Sequence, residues 1–161
     1  MGKNKEVKTN AMRILEKNKI EFRQYTYVCD EFVDALQIAD MLGLAYERVY
    51  KTLVTEGSSR NYYVFVIPIA KELDLKKAAR SVGEKSVGMI HVKDINAVTG
   101  YIRGGCTAIG MKKQYVTRVD QSAGTLEQMI VSGGRIGSQI ELAPCDLLRA
   151  AQAEYADLVV S

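Results

Sequence analysis

Apolar residues fall at helix and strand spacings along this chain, punctuated by glycines and capping residues. Met12, Ile14 and Leu15 follow Asn10 at helical spacing and predict a first helix capped there and ending near Asn18. Residues 22–28 are rich in aromatic and branched side chains and predict a strand. A second helix is expected over 33–42, with Leu36 and Met41 inside and Gly43 just past its end. Residues 49–55 predict a strand, and 62–69 a longer one that is apolar almost throughout. Such a run belongs where both faces of a sheet are covered. Asp74 caps a helix through Ala78, Ala79 and Val82, stopped by Gly83. A short strand at 86–91 and a brief helix at 94–99 follow. Strands are then expected at 116–119, 128–132 and 138–142, with Gly133-Gly134 turning between the last two. Pro144 suits the first turn of a closing helix through Leu147, Leu148 and Ala151. Strict βαβ alternation is missing, so the expected fold is α/β (α+β), a mixed, barrel-like sheet flanked by helices.

Composition narrows the picture. A chain of 161 residues with no repeat and no linker reads as a single domain over 1–161. Residues 64–70, the longest strongly apolar run, are too few to cross a bilayer, so no membrane partner is expected. The basic opening Met1-Gly2-Lys3-Asn4-Lys5 has no apolar stretch after it, which argues against secretion, and Glu6 breaks a myristoylation signal. Cys29, Cys106 and Cys145 are odd in number and far apart, which fits reduced thiols in a cytoplasmic protein. His91 is the one histidine, so a Ser-His-Asp triad or a histidine-rich metal site would have to pass through it. Net charge is +3, but residues 71–118 hold ten Lys/Arg against four Asp/Glu. A basic middle suits a polyanionic partner, or is simply a solvated basic surface.

Two features carry candidate chemistry. Lys51 sits within Val49-Tyr50-Lys51-Thr52-Leu53-Val54, where a strand would put it on one face with Val49 and Leu53. A charge there must snorkel, pair or face a cleft. Residues 100–110 include four glycines, which let main-chain amides approach an anion or a developing oxyanion. They equally suit a tight loop. The stretch Gly105 to Lys112 nearly spells a P-loop but fails, since Met111 separates glycine from lysine and no Ser/Thr follows. Cys106 in this loop could act as a nucleophile only with a base, and His91 is the sole imidazole. Gly133-Gly134-Arg135 could turn a hairpin or form the far wall of a cleft, with Arg135 meeting a phosphate or carboxylate.

In order and rough spacing, several segments resemble the YbaK/EbsC family and the editing domains of prolyl-tRNA synthetases. They are Tyr50-Lys51-Thr52-Leu53, Leu73-Asp74-Leu75-Lys76-Lys77, Gly100-Tyr101 with Gly104-Gly105 and Gly110, Lys112-Lys113, and Val131-Ser132-Gly133-Gly134 through Ile140-Glu141-Leu142. The resemblance covers nearly the whole chain and implies a helix-flanked, barrel-like mixed sheet. It implies an aminoacyl-tRNA deacylase, and in the nearest subgroup one that clears cysteine from Cys-tRNA(Pro) and Cys-tRNA(Cys). Lys51 matches the family's essential lysine, and Gly104 the glycine whose main chain holds the aminoacyl group. Tyr27, Thr52, Gly105 and Ser132 match substrate-pocket positions, with Phe32 a candidate for a pocket phenylalanine. Arg103, Lys112 and Lys113 are expected to face the tRNA acceptor stem. The resemblance implies no cofactor and no metal, with prolyl-tRNA synthetase a candidate partner. Ala108 stands where close relatives often have proline, and Gln139 where some have an acidic residue. In the cysteinyl subgroup the substrate thiol attacks its own ester. The rivals are water attack on Ala- or Ser-tRNA, a tRNA- or synthetase-binding module without turnover, and a thiol enzyme using Cys106.

Overall fold

The computed structural model describes residues 8–28 and 33–161. In chain order run α1 (Asn10–Lys17), β1 (Arg23–Thr26), α2 (Ala35–Leu42), β2 (Tyr50–Gly57), β3 (Tyr62–Pro68), α3 (Leu75–Val82), β4 (Val87–Met89), α4 (Ile95–Thr99), β5 (Val116–Asp120), β6 (Met129–Ser132), β7 (Ser138–Leu142), α5 (Pro144–Ala151) and β8 (Glu154–Ala156). Short 3₁₀ turns occupy Tyr46–Arg48, Val92–Asp94 and Gln121–Thr125. Cys29 and Phe32 lie outside the described residues.

The strands form two sheets, of order β4-β2-β3-β5-β8 and β1-β7-β6. Parallel pairing of β3 with β5 and of β5 with β8 makes the larger sheet mixed, whereas the smaller is wholly antiparallel. The unbroken apolar run of β3 is explained by burial on both faces. Val64 and Val66 enter a core with α1, α5, β6 and β7, while Phe65 and Ile67 pack under α3. Phe65 is wholly enclosed, and burying such a side chain stabilises by about 1.5–3 kcal/mol. The α/β class with helices flanking a mixed sheet is as expected, but the described strands do not close into a barrel. Besides sharing the core around Val64 and Val66, the two sheets are joined among the described residues by one parallel main-chain bridge, Val49 with Ile130.

Local differences have local causes. Thr9, not Asn10, caps α1, its Oγ1 accepting from Met12 N at 3.2 Å. Asn10 instead donates to the Gly110 carbonyl at 2.9 Å, tying the helix to the glycine-rich loop. α2 starts two residues later than predicted because Asp34 and Gln37 form a reciprocal capping box. Leu36 and Met41, expected inside, are 39% and 54% exposed, and Ile38 and Ala39 are buried instead. The helix is apolar most of the way round, so periodicity could not select its inner face. β8 was missed altogether, being three residues long and largely exposed.

Candidate functional site

β2 pairs with β3 along its whole length, Lys51 opposite Ile67. Its other edge is occupied only near the ends. β4 pairs with residues 55–57, Ile90 N reaches the Val54 carbonyl at 3.2 Å, and Val49 bridges Ile130. Main-chain groups alternate sides along a strand, so Thr52 turns its N–H and C=O toward an edge with no strand beside it among the described residues. Here the sheet fails to close, and a cleft of about 510 Å³ opens. Its lining includes Lys51 and Thr52, the start of α2 from Asp34 to Ile38, the ledge of Met89, Ile90, Val92 and Ile95, Arg103 with Gly104 and Cys106, and Ser132 with Gln139.

Lys51 is half-buried, and its ammonium has no hydrogen-bond or ion-pair partner among the described residues. Burial lowers its pKa below the ordinary 10.5, offset in part by the attraction of Glu72. An unpaired, partly desolvated cation in a mostly apolar cleft is available to stabilise negative charge on a ligand.

Across the cleft, Gly104 adopts φ +88°, a left-handed conformation that turns the loop toward the cavity. Its neighbour Gly105 is placed differently. Gly105 is buried outside the cleft lining, and its amide donates to the Ile102 carbonyl at 2.9 Å. A Cβ there would lie 2.7 Å from the Arg135 Cα, so Gly105 lets the two glycine-rich segments meet. Arg103 stands exposed at the cleft rim. Cys106 lines the cleft, but burial pushes its thiol pKa up to about 11, with a hydrogen bond to Thr99 opposing. That environment keeps the thiol protonated and a poor nucleophile.

On the hairpin side, Ser132 and Gln139 pair across β6 and β7, so their side chains share the cleft face. Gln139 is buried, and the Ser132 hydroxyl is enclosed without a hydrogen-bond partner among the described residues. Tyr27 follows β1 by one residue, with its N–H on the Gly137 carbonyl at 3.0 Å. Its hydroxyl is likewise buried and unpartnered, although Tyr27 itself does not line the cavity. Enclosed hydroxyls without partners are costly unless a ligand or water satisfies them.

Lys51, Thr52, Arg103, Gly104 and Ser132 therefore converge on one cavity, whereas Gly105, Lys112 and Lys113 stand outside it. Lys112 folds back, its ammonium donating to the Ala97 carbonyl at 3.1 Å, and Lys113 is exposed. His91 is exposed and does not line the cavity, although its neighbours Ile90 and Val92 do. Sequence reasoning missed Asp34 and the Met89–Ile95 ledge; the Asp34-x-x-Gln37 capping signature was legible for the first, and nothing local marked the second. No described helix is long and apolar enough to cross a membrane, and no described group of three His, Cys, Asp or Glu is arranged to hold a metal.

A protein of Enterococcus faecalis named "Putative Cys-tRNA(Pro)/Cys-tRNA(Cys) deacylase EbsC" is 45% identical over 152 residues, covering 94% of this chain and 93% of the relative. A solved structure described as "a putative trans-editing enzyme for prolyl tRNA synthetase" superposes with a TM-score of 0.80 at 22% identity, over 97% of this chain and 100% of that one. A second, described as a hypothetical protein, gives 0.84 at 22% identity over 94% and 99%. These two show the fold alone. The family of aminoacyl-tRNA editing domains matches residues 30–150. With that match over most of its length and a near-full-length relative, the chain belongs to the aminoacyl-tRNA editing domain family.

Proposed function

We propose that this protein is a trans-editing deacylase that removes cysteine from Cys-tRNA(Pro) and Cys-tRNA(Cys) in the cytoplasm, without a cofactor. The observation that carries the reading is the convergence of Lys51, Gly104 and Ser132 on a cleft whose lining contains no imidazole. The activity named for the 45% identical relative supports it.

A cleft without an imidazole, with its own thiol held protonated, suits a substrate that carries its nucleophile. The cysteinyl sulfur attacks the ester carbonyl carbon, a C–S bond forms and the C–O bond to the ribose breaks. The thiol proton ends on the departing ribose oxygen, giving tRNA and a cyclic thiolactone. Lys51 stabilises the negative charge that develops on the carbonyl oxygen, or holds the adjoining terminal adenosine. The Gly104 main chain and the open Thr52 edge orient the aminoacyl group, with Ser132 bonding its polar atoms. Tyr27 supports the hairpin wall from outside the lining, through its N–H on the Gly137 carbonyl. Gly105 contributes by holding the loop against the hairpin. Arg103 at the rim, with Lys112 and Lys113 on the same segment, meets acceptor-stem phosphates, and prolyl-tRNA synthetase supplies the mischarged tRNA. Binding of that kind weakens steeply with salt.

The test is release of amino acid from Cys-, Ala- and Ser-tRNA(Pro) by the wild type and Lys51→Ala. Cysteine is expected to leave fastest, and Lys51→Ala to lose about a hundredfold in rate. Full activity in a folded Lys51→Ala variant overturns the assignment. Faster release of alanine or serine points to water attack instead, and tRNA binding without release to a binding module.

A further inference from the structure

The two walls of the cleft are joined by one main-chain bridge, Val49 with Ile130, and a side-chain cluster lies beside it. The Tyr25 hydroxyl donates to Glu141 Oε1 at 2.5 Å, and Arg48 Nη2 donates to Glu141 Oε2 at 2.8 Å. Three separate segments, β1, β7 and the 3₁₀ turn before β2, thus meet on one carboxylate. The Glu141 side chain is only 12% exposed, the most enclosed carboxylate among the ion pairs of the described residues. Removing one partner from so enclosed a charge leaves the other uncompensated.

Position gives the cluster its meaning. Arg48 immediately precedes Val49 and stands three residues before Lys51 on the same strand approach. Glu141 lies directly opposite Ile130, the other half of the bridge, and two residues beyond Gln139 on the same face of β7. Neither sheet needs the cluster for its own pairing, since the ladders of β2 with β3 and of β6 with β7 are complete without it. We propose that Arg48, Glu141 and Tyr25 form a clamp that sets the separation between the Lys51 wall and the Ser132–Gln139 wall. All three are then positioning residues for the reaction, an assignment that rests on the reading of Lys51 given above. A clamp is needed because reacting groups displaced by about 1 Å can lose two orders of magnitude in rate.

The experiment compares Glu141→Ala, Arg48→Ala and Tyr25→Phe with the wild type, and Lys8→Ala serves as a control that breaks the exposed Lys8–Glu16 pair. Two readouts are taken: kcat and KM on Cys-tRNA(Pro), and titration of Lys51 followed by the pH dependence of its reductive methylation. Glu72, Asp34, Tyr50, Arg103 and Cys106, the titratable and charged groups near Lys51 among the described residues, are unchanged in every variant. In Glu141→Ala and Arg48→Ala, kcat is expected to fall about tenfold with KM within about twofold, a loss confined to the transition state. Loosened walls admit water, so the Lys51 pKa should rise toward 10.5, while Lys8→Ala moves neither readout. A folded Glu141→Ala protein with unaltered Lys51 titration overturns the clamp, whatever its melting temperature does. If Glu141→Ala does not fold, Tyr25→Phe, which loses one hydroxyl, decides by the same readouts. Because the titration needs no substrate, it tests the clamp even if the protein proves inactive on Cys-tRNA(Pro).

Discussion

Because burial lowers the Lys51 pKa, the folded state disfavours the ammonium relative to the unfolded chain. That penalty is fully present below the folded pKa and disappears as pH rises toward 10.5, so stability increases with pH across that alkaline window. Lys51→Met is therefore expected to raise the thermal midpoint at neutral pH while abolishing deacylation, a trade-off common at functional sites. Melting and deacylation assays on the same preparation check both halves, and a lowered midpoint would mean that the charge is compensated in the fold. Cys106 obeys the same rule with the opposite sign, since burial disfavours its charged, deprotonated form. Its thiol is pushed up to about 11, so little thiolate forms near neutrality. Iodoacetamide at about pH 8 should alkylate the exposed Cys145 well before Cys106. Cys106→Ser should lower deacylation by less than about fivefold, and abolition would restore the thiol-enzyme reading. Lys51 was legible in the sequence as a charge out of place on an apolar strand. The unpartnered hydroxyl of Ser132 was not, since hydrogen-bond satisfaction depends on what the fold brings near.

Elements place these residues, and two of them are tested by single atoms. Gly105 leaves room for the Arg135 backbone, so Gly105→Ala must push two loops apart, at about 1–3 kcal/mol. Chemical denaturation measures that loss, and an unchanged midpoint would show that the loops yield freely. The two glycine-rich segments stood out in the sequence as loops. Their contact was hidden, because 30 residues separate Gly105 from Arg135. α2 brings its first turn to the cleft, and Asp34 accepts from Gln37 N at 2.9 Å there. Asp34→Ala should cost about 1 kcal/mol and also raise KM, since a frayed first turn loosens one wall. Which face of α2 is buried was misread from its pattern, whereas the doubly covered β3 was read correctly. An all-apolar strand has one interpretation in a flanked sheet; an eight-residue helix apolar on most sides has several.

For the molecule as a whole, acid stability should depend on the Glu84 carboxylate, which is not part of the cleft lining. It accepts hydrogen bonds from both the Ser58 and Ser59 hydroxyls, the Ser59 N–H and the Tyr63 hydroxyl, joining the β2–β3 hairpin to the end of α3. Those bonds, led by the Ser59 hydroxyl, hold its pKa below the ordinary 4.5. A depressed carboxylate contributes stability that is present above its unfolded pKa and lost as pH falls through its folded one. Glu84→Gln should thus flatten the decline in stability below about pH 4.5, as melts across that range would show. An unaltered acid limb would mean that other carboxylates govern it.

The sequence by itself determined the order of nearly every element and the mixed α/β class, and it singled out the lysine that lines the cleft. These rest on periodicity, capping and ordered motifs, which are local properties of the chain. Tertiary structure decided that the sheets stop short of closing and that the gap beside Thr52 is the cleft. It also separated Gly104, which faces the cavity, from its neighbour Gly105, which holds two loops together. The meeting of Arg48, Tyr25 and Glu141 belongs to the same category, since those residues lie up to 116 positions apart. Contacts at that range exist only once the strands have paired, and no local pattern encodes which edge stays open.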